Sequence, residues 1–200
     1  MEKKILYVHG MSSSGSSSTA RALKELFSSY PEFIEILSPD IPVEPKTALQ
    51  TLKELCKREK PDLIIGSSMG GMLAQQLFGY KKVLINPAFH ASELMRTNLG
   101  RTAFLNPRKD GATHYEITEK MCDDCQEMEA RQFDGITEFD KENTYGFFGI
   151  NDTVVNCYDE FCQYYKEALK FIGGHRPDVE DIKGVVGSFI IKILDEKRSK

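Results

Sequence analysis

The sequence lacks several features that would place it in large function classes. No apolar run approaches the ~18–20 residues a membrane-spanning helix needs. Positive charge is not in excess. The 26 Lys and Arg residues stand against 30 Asp and Glu, for a net charge of −4, which leaves no electrostatic footprint for general nucleic-acid binding. The five cysteines cannot all pair, which speaks against a disulfide scaffold. No internal repeat is visible. A secretory leader has an apolar core of roughly 7–15 residues; here Met1–Lys4 is followed only by Ile5–Val8 before His9-Gly10 breaks the run. That start reads as a strand, and the odd cysteine count suits a reducing, cytoplasmic compartment.

What is present is the composition of one folded domain. The chain has 200 residues, 40% of them hydrophobic, enough for a sizeable core. Short apolar runs alternate with amphipathic stretches. Ile5–Val8, Phe33–Leu37, Leu63–Ile65, Lys82–Ile85, Thr144–Ile150 and Leu169–Ile172 read as strands. Leu23, Leu26, Phe27 and Tyr30 share one helical face, ended by Pro31, and Ala48, Leu49, Leu52, Leu55 and Cys56 share another. Met72–Phe78, a stretch over Cys157, Phe161, Tyr164, Tyr165 and Ala168, and a long final stripe from Ile182 to Ile193 add further helices. This alternation predicts a parallel sheet with helices on both faces. Residues 90–143 break it. They show no strong strand signal and one helical stripe, Ile117, Met121, Cys125 and Met128. Between Glu116 and Glu142, ten acidic residues face three basic ones, a local charge of −7. A stretch this long is an insertion, expected over the carboxyl edge where open α/β sheets bind ligands.

Gly66-Ser67-Ser68-Met69-Gly70-Gly71 carries the most specific chemistry. It fits G-x-S-x-G with Ser68 at its centre, after a strand and before a helix, the context of a nucleophile elbow. A serine hydroxyl needs a base, and in this architecture the order is Ser, acid, His. Of the histidines after Ser68, His175 follows the last strand in Gly173-Gly174-His175, where the base belongs. His90 is a lesser candidate that could line the pocket, and His114 lies in the insertion. Asp152, after the fifth strand, suits the acid that orients the imidazole; Asp178 reads as a helix cap. The backbone N–H groups of Met69 and Met11 are the expected oxyanion donors. His9 reads as a structural residue beneath that loop. Met121 and Met128 are expected to meet an acyl chain from a lid. Arg96, Arg101, Arg108 and Lys109 read first as solvated charges, the alternative being contact with an anionic leaving group such as coenzyme A.

Two rival motifs are weaker. Gly10-x4-Gly15-Ser16-Ser17 lacks the lysine of a phosphate-binding loop, so its serines read as helix caps. Cys122-x-x-Cys125 lacks a second ligand pair for zinc and falls within a helical stripe. No metal site is expected.

Together, Leu6-Tyr-Val-His9-Gly10-Met11, Ile65-Gly-Ser-Ser68-Met-Gly-Gly71, Asn86-Pro87-Ala88, Gly149 through Val154 and Gly173-Gly174-His175 resemble the α/β-hydrolases, and within them the small YqiA-like bacterial esterases. The chain departs from that group in having no residue between the Gly pair and His175, and His90 in place of an Arg. The resemblance implies a compact α/β-hydrolase of about six mainly parallel strands flanked by helices. It would form a single domain, 1–200, with a lid or cap insertion at 90–143. It implies Ser68 as nucleophile, Asp152 as acid and His175 as base, acting without a cofactor on a small-molecule ester or thioester. The alternatives are an acyltransferase using the same triad, or a catalytically silent binding protein on the same fold, since fold alone does not prove activity.

Overall fold

The computed structural model describes residues 3–30 and 34–195. Pro31 and Phe33, expected as a helix stop and a strand start, lie outside the described residues. Six strands form one parallel sheet: β1 (Lys3–Val8), β2 (Ile34–Leu37), β3 (Leu63–Ser67), β4 (Lys82–Ile85), β7 (Thr144–Gly149) and β8 (Glu167–Phe171). Their spatial order is β2-β1-β3-β4-β7-β8. Val8 pairs with Gly66, Ser67 with Ile85, and Gly149 with Phe171. The loops after β1, β3, β7 and β8 therefore leave one edge of the sheet, with β3 near its middle.

Strand side chains alternate in direction, and here both faces are buried. Leu6, Val8, Ile64, Leu84 and Phe148 pack with Leu52, Met72 and Phe161 on one side. Ile5, Tyr7, Leu63, Ile65, Val83 and Phe147 pack with Leu23, Phe27, Ile182 and Ile190 on the other. Burial on both faces is why these strands read as unbroken apolar runs. The first layer holds α2 (Pro45–Glu59), α3 (Met69–Gln75) and α7 (Tyr158–Tyr164); the second holds α1 (Ser18–Ser28) and the C-terminal helix. Ser17 caps α1, its hydroxyl accepting from Ala20 N–H at 3.2 Å.

The structure departs from the sequence reading in three places. The helix expected through Ala168 ends at Tyr164, and Ala168 lies in β8, where pairing with β7 outweighs local helical spacing. Tyr165 closes that turn, its buried hydroxyl donating to Gln75 Oε1 at 2.7 Å. The final stripe is α8 (Val179–Asp181), a π-helical turn (Ile182–Val186) and α9 (Gly187–Asp195) rather than one regular helix. The wider turn keeps Ile182, Val186, Ile190 and Ile193 buried and leaves Val185 exposed.

The third difference is the insertion. It contains three helices among the described residues: α4 (Ala91–Arg96), α5 (Glu119–Glu129) and α6 (Glu138–Asn143). It also contains an antiparallel hairpin of β5 (Gly100–Ala103) and β6 (His114–Ile117). These strands are short and mostly exposed, so they carry no apolar alternation to read. Ile117, expected in the helix, ends β6, and Thr118 caps α5. α5 packs on α2 and α4. At its far end the insertion is anchored by a fully buried ion pair, Lys82 Nζ to Asp140 Oδ1 at 2.6 Å. Asp140 also accepts from Gly79 N–H and from the Thr137 hydroxyl, at 2.9 and 2.6 Å. Burial pushes the Lys82 ammonium down. Burial alone would raise the Asp140 carboxyl, but Lys82 and Thr137 hold it below the ordinary carboxylate range.

Candidate active site

Ser68 occupies a backbone conformation that few residues tolerate. It sits between β3 and α3 with φ +55° and ψ −127°. Holding a non-glycine residue there costs of order 1–3 kcal/mol, strain that persists only where the surroundings enforce it. They do so here through the flanking glycines. A Cβ on Gly66 would lie 2.5 Å from Gly70 O, and one on Gly70 would lie 2.2 Å from Val8 O. Ser68 N–H donates to Ile85 O at 3.0 Å, and Ala88 N–H donates to Ser68 O at 3.0 Å. The elbow is thereby tied to the neighbouring strand on both sides of its turn.

His175 Nε2 lies 2.9 Å from Ser68 Oγ, and its Nδ1 lies 2.8 Å from Asp152 Oδ2. An ionised Asp152 requires Nδ1 to carry the proton, leaving Nε2 free to accept from the serine hydroxyl. The other Asp152 oxygen accepts from the N–H groups of Val154 and Val155 at 2.8 and 3.1 Å. The Asp152 side chain is 4% exposed and that of His175 15%. The three residues come from loops after β3, β7 and β8.

A fourth residue ties these loops together, and its role was not read from the sequence. Asn86, 1% exposed, follows β4 with φ +43°. Its Nδ2 donates to Gly174 O at 2.9 Å and to His175 O at 3.1 Å, and its Oδ1 accepts from Gly149 N–H at 2.7 Å. Asn86 thus clamps the His175 loop to the end of the strand that leads into Asp152. Gly149 completes the fit, since a Cβ there would lie 2.5 Å from Gly173 O. The available signal was Asn before Pro at the end of a central strand, which marks a turn but not a clamp.

The loop after β1 runs beside the nucleophile. A Cβ on Gly10 would lie 3.1 Å from Ser68 Cβ and 3.7 Å from its Oγ. Met11 follows at once, and Met69 begins α3, where the first N–H groups have no partner within the helix. His9 holds this loop: its Nδ1 donates to Gly10 O at 2.8 Å, and its Nε2 accepts from Ile41 N–H at 3.0 Å. Burial keeps the imidazole neutral by lowering its pKa. Both nitrogens are used, so His9 is structural.

Ser68 and His175 line an open cleft of about 320 Å³ with Ser13, Ser17, Asn106 and Arg176. One wall comes from the loop after β5. Leu105 N–H donates to Ser12 O at 2.7 Å, Asn106 Nδ2 to Ser13 Oγ at 3.2 Å, and Lys109 N–H to Asp40 Oδ2 at 2.7 Å.

The other expected substrate contacts lie elsewhere. His90 is at the start of α4, 52% exposed, with its Nε2 2.8 Å from Glu160 Oε2. Met121 is buried in the core against α2 and α4, and Met128 packs at the edge of the same cluster. None of the three lines the cleft at Ser68: α5 turns its apolar stripe toward α2 and α4, and His90 faces Glu160. His114 is exposed on β6. Asp178 caps α8 through a reciprocal capping box with Asp181. All five cysteines are free, and Cys122 and Cys125 are buried. Among the described residues, no three His, Cys, Asp or Glu side chains converge as a metal site would require.

The model of an uncharacterised protein family, UPF0227, matches residues 4–176. The chain belongs to this family. Among solved structures it is similar to Est1E from Butyrivibrio proteoclasticus, at a TM-score of 0.68 and 16% identity over 95% of this chain and 87% of that one. It is also similar to mouse alpha/beta hydrolase domain-containing protein 10, at 0.63 and 14% over 96% and 90%. A third similar structure is the esterase domain of a Rhodothermus marinus protein, at 0.61 and 15% over 94% and 84%. At such identities the likeness establishes the α/β-hydrolase fold. No helix among the described residues is long and apolar enough to cross a membrane.

Proposed function

We propose that this UPF0227 member is a serine hydrolase that cleaves carboxylic esters or thioesters through an acyl-enzyme. The observation that carries the reading is the hydrogen-bonded chain from Ser68 Oγ to His175 to Asp152, at 2.9 and 2.8 Å. Ser68 Oγ bonds to the acyl carbon while His175 Nε2 takes its proton. The carbonyl oxygen, now an oxyanion, accepts from the Met11 and Met69 N–H groups. His175 then returns the proton to the departing alkoxide or thiolate. Water attacks the acyl-Ser68 ester with the same base and releases the acid. The loop 104–109 serves as the insertion's lid over one side of the cleft, and the free thiols support a cytoplasmic setting. Wild type should turn over p-nitrophenyl esters and take a fluorophosphonate label. Ser68→Ala should lose both, with kcat down by about 10⁶. Turnover retained in that variant refutes the mechanism; labelled wild type that forms more ester than acid with an added alcohol indicates acyl transfer instead.

A further inference from the structure

Across a wall of Gly10, Met11 and Ser13 that it shares with the open cleft lies a small cavity, lined further by Met69, Ile41, Leu73, Phe104 and Arg108. Most of the lining is apolar; His9, Ser12, Ser13 and Arg108 supply its polar side chains, Arg108 from the loop after β5. That side chain is only 8% exposed. Its Nη2 donates to Ile41 O at 3.2 Å, and its guanidinium lies 4.6 Å from the Phe104 ring centre. Its Nε and Nη1 are buried and have no hydrogen-bond partner among the described residues. The carboxylates nearby do not satisfy them. Asp110 Oδ2 is 3.6 Å from Nε, beyond hydrogen-bond distance. Both Asp40 oxygens are taken by the N–H groups of Gly15 and Lys109, at 2.8 and 2.7 Å. The neutral His9 lies on the same side. Buried guanidinium N–H groups left unpaired are costly, and they call for an acceptor.

The place of the cavity says which end of a substrate would supply one. Ser68 and His175 both line the open cleft, and His175 must reach the leaving group to protonate it. The leaving group therefore belongs on the His175 side of Ser68, and the acyl group on the side of Gly10 and Met11, the wall shared with the Arg108 cavity. The cavity measures about 20 Å³, where a single water needs ~10–15 Å³. That space admits a small acceptor group. A planar carboxylate matches the fork of a guanidinium.

We propose that Arg108 receives a carboxylate at the far end of a short acyl group, so that the substrates are half-esters or half-thioesters of small dicarboxylic acids. This rests on Ser68 acting as the nucleophile. The test compares kcat/KM for monomethyl malonate, succinate and glutarate with their neutral matches, methyl propanoate, butanoate and pentanoate. It is run on wild type, Arg108→Met and Arg108→Lys, each checked for folding by its melting curve. Wild type should prefer at least one half-ester over its match by about 10- to 100-fold, the worth of a hydrogen bond to a charged group. Arg108→Met should lose activity on that half-ester by about 10- to 100-fold more than on its match, and Arg108→Lys should recover part of the difference. The inference is overturned if wild type shows no preference for any half-ester, in which case the cavity holds water alone. It is also overturned if Arg108→Met lowers both substrates equally. If Arg108→Met fails to fold, Arg108→Lys carries the comparison, and a half-ester preference unchanged in that variant overturns the inference. Failure of this inference leaves wild type turning over neutral esters and taking the fluorophosphonate label, both lost in Ser68→Ala, whereas failure of the Ser68 mechanism appears as turnover that survives Ser68→Ala or as wild type with neither turnover nor label.

Discussion

Asn86→Asp separates positioning from mere stability. The substitution keeps the shape of the side chain, its tolerance of φ +43°, and an acceptor for Gly149 N–H. It removes both donors, so a carboxylate oxygen faces the carbonyls of Gly174 and His175, which Asn86 Nδ2 now reaches at 2.9 and 3.1 Å. Two acceptors lose their partner in a site that is 1% exposed. At about 1–3 kcal/mol for each buried group left unsatisfied, the loop is destabilised by roughly 2–6 kcal/mol. The His175 loop can relieve that cost by moving away from β7. A displacement of about 1 Å at a catalytic group costs on the order of 10²-fold in rate. We therefore expect kcat to fall about 10- to 100-fold with KM nearly unchanged, since the residue does not line the cleft. The rate of fluorophosphonate labelling should fall in parallel, because it too needs Ser68 activated by His175. Steady-state kinetics on a p-nitrophenyl ester, with labelling rates and a melting curve, would measure all three. A folded Asn86→Asp protein with kcat within twofold of wild type would show that Asn86 does not position His175.

Asp152→Asn should retain the fold but leave Nδ1 facing an amide that no longer enforces the catalytic tautomer; kcat should fall about 10⁴-fold, and a smaller loss, under tenfold, would reassign the acid. Lys82→Met leaves Asp140 charged and buried without its partner, at a cost of about 3–5 kcal/mol. For a chain of this size that is roughly a 6–20 °C drop in melting temperature, and a Lys82→Met, Asp140→Leu pair should recover much of it. The folded-state carboxyl of Asp140 lies below its ordinary value, so its contribution is present above about pH 4 and is lost as the pH falls through the folded value. Urea midpoints measured from pH 6 down to pH 3 should therefore fall less steeply in Asp140→Asn than in wild type.

How far the sequence reveals such a site depends on how local its determinants are. The elbow is written within six consecutive residues. Gly66 and Gly70 are required by backbone atoms that a Cβ would strike, so chain and geometry say the same thing. Asp152 and His175 are legible because each follows an apolar run at the end of a strand, and the parallel topology sends all such ends to one edge. The central strands are legible because burial on both faces leaves them apolar over most of their length. The insertion has no such constraint. The β5–β6 hairpin is mostly exposed, and its turn is held by contacts to Ser12, Ser13 and Asp40, about 70 to 90 residues earlier in the chain. Met121 and Met128 have helical spacing, but spacing gives a face and not its partner; that face meets α2 and α4 rather than the cleft. Arg108 is the same problem in reverse. In the sequence it is one of several basic loop residues and reads as solvated. In the fold, the hairpin turn carries it under Phe104 and beside the oxyanion loop, where it is 8% exposed with two unpartnered nitrogens. A charge buried by tertiary packing has no local signature. The proposed carboxylate contact therefore rests on a residue whose surroundings appear only once the hairpin is docked.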